Sequence, residues 1–144
     1  MALNKTVKTY SSYNVHIVVD GIVLTGVADD SFVQISSRSE GIVSRTGCDG
    51  EVARAIDPNH QYQVRLVTLQ TSDSNKRLQE YYMRDRRNGT GMFALEIKDD
   101  GGNLTFFAEK AWVNRQPDIT RGKDTVNYEW TIDTCAISDE QIKL

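Results

Sequence analysis

A period of two in the alternation of apolar and polar residues is the feature that most constrains how this chain can fold. The clearest example lies between residues 125 and 135, where every second residue of one stretch is apolar. These apolar residues are Val126, Tyr128, Trp130 and Ile132. Successive side chains of a β-strand point to opposite faces, so the pattern predicts a strand with one buried face. Strand-like patterns also predict six further strands, at residues 13–19, 22–27, 31–37, 61–69, 92–98 and 104–112.

One segment between the fourth and fifth of these strands has a helical pattern instead. Leu78, Tyr81 and Tyr82 fall on one face of a helix, and the opposite face is mostly basic. Serine, threonine and aspartate within residues 71–74 can cap the start of this helix, and Gly89 can end it. The sequence therefore predicts a mainly β domain with one amphipathic helix against a sheet.

Two short segments predict hairpin turns. The dipeptide Asp20-Gly21 suits a tight turn in which both central residues have positive φ. The second segment is Asp99-Asp100-Gly101-Gly102, whose glycines can also accept positive φ and whose aspartates can close side-chain turns onto the backbone.

Residues 38–57 are the irregular part of the chain. They contain Gly41, Gly47 and Gly50 but too few apolar residues for a core layer, and loops of this length are usually functional or disordered. Because short apolar pairs flank residues 46–50, a projecting hairpin is one possibility. A polar arm at residues 1–10 and a tail at residues 136–144 are two more segments that a lone domain would leave dangling. Such segments often become ordered against partners, which favours an interaction protein.

The charge balance limits the kinds of partner. The chain has 17 basic and 20 acidic residues and a formal net charge of −3, which argues against a broad basic face that grips nucleic acid. The densest basic cluster is Arg84, Arg86 and Arg87. It can contact nucleic acid, complement the helix dipole while facing solvent, or form a salt bridge to a neighbouring subunit; the solvent-facing role is favoured.

The length of the chain and the lack of a recognisable targeting signal predict one domain made in the cytosol. A chain of 144 residues can bury one core without the help of a disulfide or a metal ion, so a single domain spanning residues 1–144 is expected. The first residues lack the apolar core of a signal peptide, and no run approaches the roughly 20 apolar residues of a membrane span. Cys48 and Cys135 are far apart without a CxxC spacing; free thiols are favoured over a disulfide.

Residues suited to catalysis are few. His16 lies in a predicted strand and His60 in a predicted turn, and no nucleophile stands at a spacing that would pair with either. The pairs Asp29-Asp30 and Asp99-Asp100 could bind a hard cation, but aspartate is also a normal turn residue at strand ends. The sequence therefore predicts no enzyme, no cofactor and no metal site.

Five blocks stand in a fixed order along the chain. They are Gly47-Cys48-Asp49-Gly50-Glu51-Val52-Ala53-Arg54, Leu69-Gln70-Thr71-Ser72-Asp73-Ser74-Asn75, Ile97-Lys98-Asp99, Ala111-Trp112-Val113 with Pro117-Asp118-Ile119, and Glu129-Trp130. In order and approximate spacing, this series resembles the tail tube proteins of contractile-tailed bacteriophages. The resemblance runs from about residue 26 to residue 134.

The resemblance implies a small β-barrel or sandwich with one flanking α-helix, a fold that looks shared with the tube subunit of type VI secretion systems. It implies hexameric rings that stack into the inner tube of the virion tail, beneath a contractile sheath, around a channel for genome ejection. The implied partners are other copies of the chain, the sheath protein, the baseplate hub, the tape measure and tail terminator proteins, and viral double-stranded DNA that passes without specific binding.

In such proteins an extended loop after the early strands reaches the adjacent ring, and the terminal segments also help to join subunits. Carried onto this chain, the loop is residues 38–57. Its candidate contact residues are Arg38, Glu40, Arg45, Cys48, Asp49, Glu51 and Arg54. The resemblance names no lumen residues, but a neutral to acidic lumen is expected because basic side chains would hold DNA through its phosphates.

A binding module remains the alternative to a structural subunit. A baseplate or carbohydrate-binding β-domain could use exposed aromatic side chains, with Tyr81, Tyr82 and Trp112 as candidates. The helical phase of Leu78, Tyr81 and Tyr82 favours core packing for the two tyrosines instead.

Overall fold

The computed structural model describes residue 3, residues 5–102 and residues 104–144, which contain ten β-strands, one α-helix and a short 3-10 helix (Ser12–Asn14). The strands are β1 (Val15–Val19), β2 (Ile22–Val23), β3 (Val33–Ser37), β4 (Ile42–Thr46), β5 (Val52–Ile56), β6 (Gln61–Leu69), β7 (Phe93–Asp99), β8 (Thr105–Arg115), β9 (Asn127–Ala136) and β10 (Ile142–Lys143). The helix, α1 (Ser74–Asn88), lies between β6 and β7. The predicted class, mainly β with one helix, is confirmed.

Eight of the strands form one antiparallel sheet in the order β2-β1-β7-β8-β9-β6-β3, with β10 beside β8. This sheet is strongly curled. Leu24 N–H donates to Ile17 O in β1, and only two residues later Gly26 O accepts from Leu69 N–H in β6. In a flat sheet β1 and β6 would lie about 19 Å apart, but two residues span at most about 7 Å. The sheet therefore bends round without closing, since its end strands β2 and β3 do not pair with each other within the described residues.

The core lies on the concave side of the sheet and contains the apolar residues of the alternating pattern in the sequence. Tyr128, Trp130 and Ile132 of β9 are buried, as are the largest fully enclosed side chains, Phe106 and Leu66. Of the positions between these β9 residues, Glu129 is exposed and Thr131 is half-buried. One buried face of β9, as predicted, is therefore confirmed.

The helix covers this core with the predicted face. Leu78 is fully buried, and Tyr81 and Tyr82 are half-buried against the core. Two side-chain hydrogen bonds fix the helix: Trp130 Nε1 donates to Asn75 Oδ1 (3.1 Å), and the Tyr81 hydroxyl donates to Asp20 Oδ2 (2.5 Å). Burial, followed by the bond to Asp20, raises the pKa of Tyr81 above its ordinary value. At 15 residues, α1 is too short to cross a bilayer, and no other described helix is long and apolar enough to do so.

The two predicted hairpin turns form by different means. Asp20 and Gly21 both have positive φ, 49° and 80°, as expected for the turn between β1 and β2. Gly101 and Gly102 do not, so the expectation of positive φ there is wrong. The expected closure by an aspartate side chain is confirmed, because the Asp99 carboxylate accepts the N–H groups of Gly101 (3.1 Å) and Gly102 (3.0 Å) and holds the turn between β7 and β8.

The tail beyond residue 136 does not dangle as expected. It returns to the sheet, where Ile142 pairs with Phe106 of β8. Ile137 is buried and Ile142 is packed against the core, so burial of these two apolar side chains explains the difference. By contrast, the described residues of the N-terminal arm up to Tyr10 are all exposed and belong to no helix or strand.

Candidate functional site

The segment predicted as a projecting loop or hairpin is a two-stranded sheet of its own. β4 pairs with β5 from Ile42 opposite Ile56 to Thr46 opposite Val52. All ten residues of the two strands are exposed, and their pairing is separate from the eight-stranded sheet. We call β4, β5 and the turn between them the hairpin.

Large apolar side chains on the hairpin face solvent. They are Ile42, Val43, Val52 and Ile56, and the exposed fractions of Val52 and Ile56 reach 60% and 75%. Directly opposite residues point to the same side of a sheet, so Ile42, Ile56 and Val52 share one face. An isolated two-stranded hairpin is marginally stable in water. The hairpin therefore offers an apolar face that a partner could cover.

The base of the hairpin is joined firmly to the main sheet. Arg38 N–H donates to Gln61 O (3.0 Å), and the Arg38 guanidinium donates to Asp133 Oδ1 (3.0 Å) in β9. Ser39 Oγ donates to Asn59 O (3.1 Å), in the segment that leads from β5 to β6. These bonds fix the direction in which the hairpin projects.

The tip of the hairpin, residues 46–52, is an ordered turn. Gly47 N–H donates to Glu51 O (2.7 Å), Glu51 N–H donates to Asp49 Oδ1 (3.0 Å), and Gly50 has a φ of +88°, in the region that favours glycine. Cys48, at the outer end, is exposed, whereas Cys135 is half-buried, and both are free thiols. Of the three glycines noted in this segment of the sequence, Gly41 and Gly50 have positive φ and Gly47 does not.

The seven predicted contact residues divide into two groups. Arg38 is at the base and is paired with Asp133, so it supports the hairpin rather than extending from it. The other six are exposed on or beside the hairpin, and none forms an ion pair with a described residue: Glu40, Arg45, Cys48, Asp49, Glu51 and Arg54. The sequence reasoning missed the apolar residues of the hairpin as contact residues. The signal was present, since Ile42 and Ile56 begin and end a segment otherwise rich in polar residues.

Removing the Arg38 side chain should destabilise the fold, because it leaves the mostly buried Asp133 carboxylate with one weak partner, the Gln63 amide at 3.5 Å. We expect Arg38→Ala to lower the free energy of unfolding by about 1–3 kcal/mol. The matched control, Arg45→Ala, removes an exposed and unpaired arginine and should change it by less than about 0.5 kcal/mol. Urea denaturation of the two variants measures the difference, and equal stabilities would contradict the assigned role of Arg38.

The basic cluster of α1 is partly stacked on aromatic rings. The Arg84 guanidinium lies 5.0 Å from the Tyr81 ring centroid, and that of Arg86 lies 5.7 Å from Tyr82. Neither these arginines nor Arg87 forms an ion pair within the described part of the chain. The cluster is exposed at the helix C-terminus, as expected for cations that complement the dipole.

The other candidate residues have structural surroundings. His16 Nε2 lies 3.2 Å from Asp100 Oδ2, and Asp99 closes the turn described above. In the parts of the chain that the structure describes, no three histidine, cysteine, aspartate or glutamate side chains are grouped to hold a metal ion. Of the three aromatic candidates for carbohydrate binding, Tyr81 and Tyr82 pack against the core and Trp112 is half-buried on the opposite sheet face.

Comparison with known sequences gives two findings. A family model described as bacteriophage PhiTE tail tube protein matches residues 8–142. The structural protein ORF10 of Pseudomonas phage KPP10 is 28% identical over 132 residues, which cover 86% of this chain and 76% of that protein.

Two solved structures share the fold at low sequence identity. The anti-feeding prophage cap, a tube terminating cap, matches with a TM-score of 0.60 at 8% identity. The match covers 94% of this chain and 93% of the cap chain. The PVC sheath/tube terminator of an extracellular contractile injection system in the extended state has a TM-score of 0.51 at 11% identity, with coverages of 93% and 96%. At these identities the similarity is one of fold.

Proposed function

The chain belongs to the bacteriophage PhiTE tail tube protein family, and from this premise we propose that it is the repeating subunit of a phage tail tube. It is a structural protein of the virion tail. In the proposal, six copies form a ring, and the rings stack into the inner tube of a contractile tail and enclose the channel for genome ejection. The fold similarity to contractile-system caps and terminators agrees with a place in such a tube.

The observation that carries this proposal is the hairpin. It extends outside the core, is fixed at its base by Arg38, and exposes the side chains of Ile42, Val52 and Ile56 on one face. Covering such apolar area is favourable by about 25 cal/mol per Å². We assign the hairpin to the contact with the adjacent ring, where exposed charges of both signs on its turn and strands would set the register of stacking.

The two open edges of the main sheet support lateral joining within a ring. β2 and β3 are the end strands of the sheet, and β2 exposes both Ile22 and Val23. Unpaired edges are prone to join other strands. A head-to-tail contact between unlike edges forms a closed ring when the rotation from one subunit to the next returns to the first subunit. Six copies joined in this way would cover the edges that one copy leaves open.

The convex face of the sheet is the candidate lumen surface. It carries charges of both signs, including Glu96 and the ion pair between Arg65 and Glu129, whose N–O distance is 2.7 Å. The hydrogen bond from Arg65 lowers the pKa of Glu129, so this carboxylate is charged at neutral pH. A mixed surface of this kind fits the predicted neutral to acidic lumen, past which DNA could move without being held.

The remaining partners follow from the proposed place of this subunit in a contractile phage tail. We propose that the tube contacts the sheath protein, the baseplate hub, the tape measure and a tail terminator, and that it assembles in the host cytoplasm. Kinship with the type VI secretion tube subunit also stays a prediction. A baseplate or carbohydrate-binding role is the alternative, and binding of the monomer to a glycan array would favour it.

Negative-stain microscopy of the purified chain tests the assembly. We expect rings with six-fold symmetry, or tubes built from them, at high protein concentration. Strictly monomeric behaviour at that concentration, together with virions whose tube lacks this chain, would overturn the proposal.

A further inference from the structure

The outward face of α1 is a basic ridge whose cations form no ion pair with a described residue, although Arg84 stacks on the Tyr81 ring. Its residues are Lys76, Gln79, Glu80, Met83, Arg84 and Arg87. All six are exposed, and Lys76, Arg84 and Arg87 form no ion pair with a described residue. The helix has five basic and two acidic residues, whereas the whole chain carries a net charge of −3. Positive charge is therefore concentrated on a ridge that also exposes an apolar side chain, Met83.

A groove of opposite character lies elsewhere on the molecule. It has a volume of about 480 Å³, and its acidic side chains are Asp29, Asp30 and Asp99. Asp29 and Asp30 are exposed and form no ion pair within the described residues. Its apolar and aromatic lining consists of Val15, Phe32, Val33 and Leu104 together with Tyr10 of the N-terminal arm. The groove thus combines the acidic and apolar character that would complement the ridge.

The ridge and the groove are at opposite ends of β1. The hydrogen bond between Tyr81 and Asp20 places the middle of α1 beside the end of β1 that follows Val19. The groove begins at Val15, the other end of the strand, which pairs with Asp99. The two ends are about 13 Å apart, and the ridge faces away from the core. The two surfaces are therefore separate, and one copy can offer both of them at once to different neighbours.

We propose that the basic ridge of α1 docks into the acidic groove of a second copy of this chain. The contact is heterologous, since different surfaces meet, so it repeats from copy to copy and extends an assembly or closes a ring. Met83 would pack against the apolar wall of the groove, while Lys76, Arg84 and Arg87 would face the aspartates. This inference rests on the self-assembly proposed above but uses a surface distinct from the hairpin.

Charge reversal of each surface tests the contact. One variant, Arg84→Glu with Arg87→Glu, makes the ridge acidic; the other, Asp29→Lys with Asp30→Lys, makes the groove basic. Each variant alone should associate at least about tenfold more weakly than the unchanged chain in sedimentation velocity, because like charges then meet. Mixed in equal amounts, the two should assemble again, since each ridge then meets a groove of opposite charge.

The control reverses charge away from both surfaces. Lys110 and Lys123 are exposed and line neither surface, so Lys110→Glu with Lys123→Glu changes the net charge as much as the ridge variant does and should leave association unchanged. Circular dichroism and thermal unfolding verify that every variant is folded. If the unchanged chain assembles but both reversals assemble equally well, or if their mixture stays monomeric, the docking of ridge into groove is wrong while the tube assignment stands. If the unchanged chain never assembles, the docking of ridge into groove is wrong, and the tube assignment fails as well only when the virion tube also lacks this chain.

Discussion

Replacement of residues 46–50 by a short turn should yield a folded subunit that cannot elongate tubes. Folding should survive because the tip belongs to the separate β4–β5 sheet, and its turn hydrogen bonds, such as Gly47 N–H to Glu51 O, are local. Elongation should fail because the replaced segment is the outermost part of the proposed contact between rings. Circular dichroism reports the fold, and electron microscopy reports the length of the tubes.

A single substitution outside the hairpin serves as the control. Lys123 is exposed and forms no ion pair with a described residue. Lys123→Ala should therefore form tubes of ordinary length. Tubes of ordinary length from the shortened variant as well would remove the hairpin from the contact between rings.

Phe106→Ala should cause the largest loss of stability among single substitutions in the core. Phe106 of β8 is completely buried, and its ring meets that of Tyr62 edge to face at a centroid distance of 5.9 Å. It also sits between Ile97 of β7 and Ile142 of β10. Truncation to alanine leaves a cavity, so we expect the free energy of unfolding to fall by about 3–5 kcal/mol. Urea denaturation measures this loss through the shift of the midpoint.

The next residue along the strand provides a matched comparison. Phe107 points to the opposite face of the sheet and is 36% exposed. Its backbone N–H donates to Gln141 O, a bond that the side chain does not affect. Phe107→Ala should therefore cost about 1 kcal/mol. Equal losses from the two variants would mean that the concave face of the sheet is not the core.

The elements with a strong local pattern could be predicted from the sequence. Alternation in residues 126–132 is a local consequence of strand geometry, so it identified β9 and its buried face without knowledge of the neighbours. The face of α1 that contains Leu78 and Tyr81 was read in the same way. The turn at Asp20 and Gly21 could be predicted because these two residue types tolerate the positive φ that a tight hairpin turn requires.

Features that depend on distant pairing could not be predicted. Arg38 and Asp133 are 95 positions apart, so nothing local distinguishes this arginine from the unpaired ones of the hairpin. The return of β10 to β8 depends on Ile142 meeting Phe106, a contact that only the tertiary fold creates.

The position of β9 has a consequence for the synthesis of the subunit. This strand is synthesised after β6, β7 and β8, yet it lies in the interior of the sheet between β8 and β6. A nascent or truncated chain that lacks it has no strand between β8 and β6 and leaves β6 unpaired along the side that β9 would cover. Pairing across the whole sheet must therefore wait until β9 has been synthesised, as is typical where long-range strand pairing dominates. Prematurely terminated products could not take the shape of a subunit, so the strand order itself would keep them out of a growing tube.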